Sequence, residues 1–383
     1  MAAPTAADQI RMNAANRSLV IQRGVPMLQR IYAETITNYV AGTAMSRNIP
    51  IKNVGLSRRL YVKVNASVTV GAAETQTKTV FGPANIFSNV TFADYSNYQR
   101  INTTGWHLHM LATAKNKAVF GSSVTTDTPT GFGSTISIID SPVSYTAPDT
   151  VQMIYEVPFA YSNDDLTGAV LSNIINANAY LAFTINPNFF VTSTANETQA
   201  VFQSSTAQLG VLSSITVEIY QDYIDQLPMD AARNMLLPAL DLSNVYGIYN
   251  TQILGLAANS DNPVNYTNYR RFLSTIAVYD NAGVLNAGTD INLFKLQAAN
   301  MTNIFELPPS MISLLATNKI MDQFPLGSYY FDHRAKPIDT MVNGNMQLLF
   351  NPSVVTNSTS QLLIGFEYIA LLNQVAQAGS IIQ

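Results

Sequence analysis

The chain has no cysteine, which excludes disulfides, thiolate catalysis and Cys-based zinc sites. Charge is scarce as well. Only 11% of its 383 residues are charged, less than half of the roughly 25% usual in soluble domains. No stretch of about 18 apolar residues is present, so no transmembrane helix is expected. The first stretch, Met1 to Gly24, is not expected to be a signal peptide, because Arg11, Arg17 and Arg23 stand where an apolar segment would be needed. Basic runs stop at the pairs Arg58-Arg59 and Arg270-Arg271, and the net charge is −4. Direct binding to nucleic acid, which needs stripes that neutralise phosphates, is therefore not expected. The nucleophile elbow, the phosphate loop and the dinucleotide fingerprint are all missing. No cofactor is expected.

Apolar residues make up 47% of the chain, enough for packed cores, and 383 residues suit roughly two or three domains. The polar remainder is mostly Asn, Thr, Ser and Gln. Two readings stay open at this point: a subunit that buries its surface against partners, since interface cores are poor in charge, or an ordinary β-rich extracellular protein.

Alternation with period two marks strands. Leu60 to Val70 is the clearest case, and similar signals lie at Ser137–Ile139, Met153–Tyr161, Leu181–Ile185, Ser214–Tyr220, Met346–Phe350 and Gln361–Tyr368. Turn clusters such as Asn186-Pro187, Asn343-Gly344-Asn345 and Asn351-Pro352 separate them. Many short strands with few helices predict an all-β sandwich or jelly roll. Helix is expected in three places: Ala6 to about Gln22, Asp164-Asp165 to about Ile175, and from Pro308-Pro309 to about Met321. A faint repeat relates Phe87-x-x-Val90-x-Phe92-x-Asp94 to Leu273-x-x-Ile276-x-Val278-x-Asp280. Each copy leads into a predicted strand, Trp106–Leu111 or Ile291–Leu296. Two sandwiches in tandem follow, with an N-terminal arm over 1–24, a first unit over 25–233 and a second over 234–383. The boundary falls between Gln226 and Asn234, before a strand beginning at Leu236-Leu237-Pro238.

Candidate chemistry is thin. His107 and His109, placed on a strand, would point to one face and reach one metal ion. The third histidine, His333, is remote, so two ring-shaped polar groups on a strand face are the plainer reading. Asp164-Asp165 is explained by the electrostatics of a helix N-terminus. Glu218, Asp222 and Asp225 follow a strand into a turn without a partnered acid and base. No metal site and no enzyme is expected. The arm carries Arg11, Arg17, Arg23 and Arg30 against the single acid Asp8, with Ile10, Met12, Leu19 and Val20 between them. That pattern fits either a segment lying on an anionic membrane or a basic tail.

Several segments resemble the major capsid proteins of tectiviruses, tailless icosahedral bacteriophages with an internal membrane. They are Phe81-Gly-Pro-Ala-Asn85, Thr104-Gly-Trp-His-Leu-His109 with Thr113-Ala-Lys115, and Asp165-Leu-Thr-Gly-Ala-Val-Leu171. Tyr223-Ile-Asp-Gln-Leu-Pro228, Leu237-Pro-Ala-Leu-Asp-Leu-Ser243 and Tyr269 to Asp280 follow in the same order, the last continuing into Asn286 to Asn292. Residues 188–208, 300–322 and both termini depart from the family's pattern. The resemblance implies a double jelly roll of two eight-stranded sandwiches with a few short helices. It also implies a homotrimeric, pseudo-hexagonal coat subunit that meets neighbouring capsomers and minor capsid proteins. The subunit would be made in the host cytoplasm and lodged in the shell of the virion, with no direct grip on the genome. Arg11, Arg17 and Arg23 of the arm would then face the viral internal membrane. A phage spike or receptor-binding β protein is the alternative, though fibrous repeats are not seen.

Overall fold

The computed structural model describes residues 5–69, 76–94, 97–115, 149–162, 164–172, 179–192, 198–204, 210–285, 288–298, 303–320, 324 and 327–371. The predicted strand Ser137–Ile139 lies outside them. Helix α1 (Ala6–Arg23) opens the chain. The first lobe is built from β1 (Val25–Ile36), β2 (Met45–Pro50), β3 (Leu56–Thr69), β4 (Phe87–Ala93) and β5 (Gln99–Thr103). Helix α2 (Gly105–Lys115) follows, then β6 (Asp149–Pro158), β7 (Tyr180–Ile185) and β8 (Val211–Asp225). A short helix, α3 (Ala239–Leu242), leads to the second lobe. That lobe contains β9 (Asn244–Ile253), β10 (Asn262–Asn265), β11 (Arg271–Asn281), β12 (Ile291–Ala298) and β13 (Asn303–Leu307). Helix α4 (Pro309–Ile320) precedes β14 (Ser328–Asp332), β15 (Met346–Pro352) and β16 (Gln361–Leu371).

The pairing makes each lobe a jelly roll. In the first, β1-β8-β3-β6 forms one sheet and β2-β7-β4-β5 the other. In the second, β9-β16-β11-β14 and β10-β15-β12-β13 repeat those orders with every strand number raised by eight. Alternation drives this arrangement: Leu60, Val62, Val64, Ala66 and Val68 of β3 point inward, while Tyr61, Lys63 and Asn65 between them are only half-buried. The edges of the two lobes then join. Strand β5 pairs in parallel with β9 through Ile101 opposite Ile248 and Asn102 opposite Tyr249, so one sheet of the first lobe continues into one sheet of the second.

Four expectations are corrected. Trp106–Leu111 is helix, not strand. Its residues are buried on nearly every side (Trp106, His107, Leu108, Met110 and Leu111 are all inside), and so show no single apolar stripe. Asp165 starts no helix. Its carboxylate accepts from the Thr167 backbone N–H and hydroxyl in a tight turn closed by Gly168 at φ +86°, and only a two-residue strand, Val170–Leu171, follows among the described residues. Leu236-Leu237-Pro238 begins no strand, because Pro238 instead caps α3. The faint repeat matches strands that are not equivalent: Phe87 begins β4, whereas Leu273 belongs to β11, the counterpart of β3. The counterpart of β4 is β12.

The helices mark the true repeat. Both α2 and α4 connect the fifth strand of a lobe to its sixth, between β5 and β6 and between β13 and β14. Each packs on the matching pair of strands, α2 on β6 and β4, α4 on β14 and β12. Their sequences agree as well, Leu111-Ala-Thr-Ala-Lys115 against Leu315-Ala-Thr-Asn-Lys319. In the first lobe this helix is wedged against the second lobe. The His107 ring lies over Gly365 of β16 so closely that a Cβ there would stand 2.0 Å from its Nε2. Gly365→Ala is therefore expected to destabilise the chain by about 1–3 kcal/mol through overpacking. Urea denaturation of purified protein checks this, and an unchanged midpoint would mean that the helix is not tightly seated.

Candidate functional site

For a chain without a convergent catalytic set, the informative places are the seam between lobes, the docked arm and the open sheet edges. The seam is where charge has been buried. Leu108, Leu111, Ala112 and Lys115 lie one helical turn apart along α2 and line a cavity of about 270 Å³ with Tyr161, Tyr246 and Arg334. At its inner wall, Glu367 of β16 is fully buried. The Lys115 ammonium donates to its carboxylate at 3.0 Å and Arg334 stands 3.5 Å away. Tyr246 donates at 2.7 Å and the Ser274 hydroxyl at 2.6 Å. Lys115 also donates to the Tyr161 carbonyl at 2.8 Å and sits over the Tyr161 and Tyr246 rings. Burial works to raise the carboxyl's pKa, but Lys115 and Arg334 overcome it and hold Glu367 down at about 2. The cluster ties α2 of the first lobe to three strands of the second.

The histidines cannot share an ion. On a helix, neighbours two apart point to different sides, so the expectation of a common strand face fails. His107 Nδ1 shares a 2.6 Å hydrogen bond with the Thr103 hydroxyl, and burial pushes its pKa down to about 3, leaving the ring neutral. Among the described residues no group of three potential ligands is assembled. The carboxylates of the first lobe are spread among cations: Glu218 pairs with Arg30 and Lys63, and Asp222 with Arg58 at 2.6 Å.

The arm is docked. Helix α1 begins with a capping box made by Thr5 and Asp8. One face, Asn13, Asn16, Arg17 and Val20, turns toward the linker between lobes. Asn13 donates to Asp241 at 2.8 Å and accepts from the Leu240 backbone at 2.8 Å, while Asn16 donates to the Leu237 carbonyl. Arg17 forms an ion pair with Asp241 at 2.9 Å and reaches Asp165 at 3.7 Å. Val20 is fully buried with Leu56, Leu166, Ile224 and Leu227. Arg17 thus differs from the other two arginines assigned to the arm, because its guanidinium is held by two carboxylates. Arg11 and Arg23 are exposed, alongside Ile10 and Met12.

Sequence and structure comparisons agree with this architecture. The family described as P3 major capsid protein matches in two parts, the N-terminal one over residues 1–227 and the C-terminal one over 243–383. The major capsid protein P3 of Enterobacteria phage PRD1 is 39% identical over 374 residues, 96% of this chain and 93% of that protein. The chain belongs to the P3 major capsid protein family. As a capsid protein of a PRD1-like virus, it resides in the shell of the virion. Its fold recurs in distant coats: the Sulfolobus Turreted Icosahedral Virus structure superposes with a TM-score of 0.62 at 12% identity, covering 92% of this chain and 96% of that one. The PBCV-1 capsid does so with a TM-score of 0.57 at 9% identity, covering 91% and 95%. At such identities the likeness speaks for the double jelly roll alone.

For this coat protein the seam cluster is the main feature that sequence reasoning missed. The Leu-Ala-Thr-x-Lys match between α2 and α4 was the signal that could have placed Lys115. Glu367 lies below its ordinary value of 4.5, so it stabilises the fold fully above about pH 4.5, and that contribution is lost as pH falls toward about 2. Glu367→Gln is expected to cost about 3–5 kcal/mol at pH 7 by leaving the half-buried Lys115 and Arg334 without their carboxylate, and to flatten that acid limb. Chemical denaturation across pH 2–7 reads both effects; an acid limb as steep in the variant as in the wild type would contradict them.

Proposed function

We propose that three copies of the chain form a pseudo-hexagonal capsomer that tiles an icosahedral shell over an internal membrane. The observation that carries this reading is the exact eight-strand offset between lobes: each copy is two similar blocks held by one continuous sheet, so three copies present six. The shortage of charge, 11% of residues, fits a subunit with neighbours on most sides. The domain division follows the same logic, an arm over 1–24, a first jelly roll over 25–233 and a second over 234–383. Neighbouring capsomers and minor capsid proteins are the further partners.

The arm supplies the membrane contact. Arg11 and Arg23 with Ile10, Met12 and Ile21 offer exposed basic and apolar groups, each arginine contributing about 1 kcal/mol near an anionic surface. Arg17 enters this contact only after leaving Asp241, so in the docked state it positions the helix. The membrane-facing set of Arg11, Arg17 and Arg23 is thereby divided into two contact residues and one anchor.

Light scattering on the purified 41.7 kDa chain should give the mass of a trimer, and negative-stain images should show six lobes end-on. A monomer at every concentration would contradict the capsomer. Flotation with anionic liposomes tests the arm: Arg11→Glu with Arg23→Glu should lose most vesicle binding with an unchanged melting temperature. Arg17→Ala should lower that temperature. Undiminished flotation of the double variant would contradict the membrane role.

A further inference from the structure

The two lobes repeat with an offset of eight strands, and the chain already contains one lobe-to-lobe contact. From this we infer that the contact between copies is a second edition of the internal seam: α4 and β13 of one copy dock on β1 and the outer face of the β1-β8-β3-β6 sheet of the next. The inference rests on the trimer reading above and names the surfaces that would make it.

Raising each strand of the internal seam by eight gives the geometry. Inside the chain, edge strand β5 runs parallel to edge strand β9, and α2 covers the outer face of the sheet that contains β9, β16 and β11. The equivalent of β5 is β13, and the equivalent of β9 in the first lobe is β1. Both are edge strands: among the described residues β13 pairs with β12 alone and β1 with β8 alone. Within one chain the two edges lie in separate sheets, outside the continuous one, and do not pair with each other. The partner is therefore a second copy.

The side chains at those edges fit an interface. On α2, the residues that press on the second lobe are buried. The matching residues on α4 are open to solvent, Leu314 at 53%, Leu315 at 50% and Met311 at 40%, with Ile304 of β13 at 55% beside them. Facing them, β1 exposes Met27 and Leu28. An unpaired strand edge flanked by exposed apolar groups invites strand pairing unless a partner covers it. A head-to-tail contact of this kind, lobe two to lobe one of the next copy, closes into a ring when its rotation matches that of the internal seam. Two such rotations per copy make three copies a closed ring of six lobes.

The positions can be aligned further. Met311 of α4 corresponds to His107 of α2, five residues before the shared Leu-Ala-Thr motif's alanine in both helices. On the receiving sheets, Asp222-Tyr223-Ile224 of β8 corresponds to Glu367-Tyr368-Ile369 of β16, because both sit at the same register shift, against β3 and against β11. The site matching Gly365 is then Tyr220. His107 touches Gly365 inside the chain; Met311 of one copy should stand over Tyr220 of the next.

Leu314→Arg puts a charge on an exposed position, so the fold should be kept. Its capsomers should dissociate at a concentration at least about 30-fold above the wild type's, the loss typical of an interface hot spot. Val354→Arg, exposed on the loop after β15, should assemble normally. The chain has no cysteine, so Met311→Cys combined with Tyr220→Cys gives a clean second readout: oxidation should link copies into covalent dimers and trimers on denaturing gels. A wild-type chain that never trimerises overturns the capsomer reading itself. A wild type that trimerises, with Leu314→Arg trimers as tight or with no linked species from the cysteine pair, overturns this assignment of the surfaces alone.

Discussion

The relative placement of the two jelly rolls depends on the wedge formed by helix α2 between them. Its Lys115 meets the buried carboxylate of Glu367, and its His107 ring abuts Gly365. A fully buried carboxylate without partners would be prohibitively expensive. With Lys115, Arg334, Tyr246 and Ser274 around it, the charge is compensated, and Lys115, the one partner from the first lobe, ties that lobe to the site the second lobe builds. Two sandwiches joined by a linker alone would move as separate domains. Joined by a shared sheet and this cluster, they become one block with a fixed angle between its halves.

That angle is what a shell subunit needs. Tiling demands that the lobes of every copy present their flanks in the same directions, and a hinge at the seam would blur them. The docked arm reinforces the same placement from below, since Asn13 and Arg17 fasten α1 to Asp241 in the linker while Val20 fills the apolar pocket beside it. The low charge of the chain belongs to the same account, and α4, β13 and β1 are among the places where apolar groups stand open.

Much of the fold was legible from alternation. Strands β3, β7 and β8, the helix at Ala6 and the helix after Pro308 follow from period and caps, because each has a wetter side and a drier one; β15 and β16 were legible as well, although β16 is buried on both faces. Helix α2 was not legible for the opposite reason. Enclosed between lobes, it has no wet side, and His-Leu-His reads as strand alternation when the neighbours on the far side are unknown. Asp165 had the chemistry of a helix cap but spends it on a turn, where Gly168 provides the positive φ that ends the segment. The tandem organisation was sensed through a repeat whose register was wrong, since any two strands with alternating apolar residues and a terminal Asp look alike. The helix motif shared by α2 and α4 was the better marker. Arg17 could not be told from Arg11 and Arg23 without its partners, Asp241 and Asp165, which lie more than a hundred residues away.

The most direct test of the seam's role is hydrogen–deuterium exchange at the backbone amides of residues 105–115 in the intact chain. If the wedge holds the lobes as one block, these amides should exchange as slowly as those of the core strands β3 and β16, opening only when the whole chain unfolds. Exchange of α2 that is orders of magnitude faster, while both sandwiches stay protected, would show lobes that separate on their own and would contradict the account.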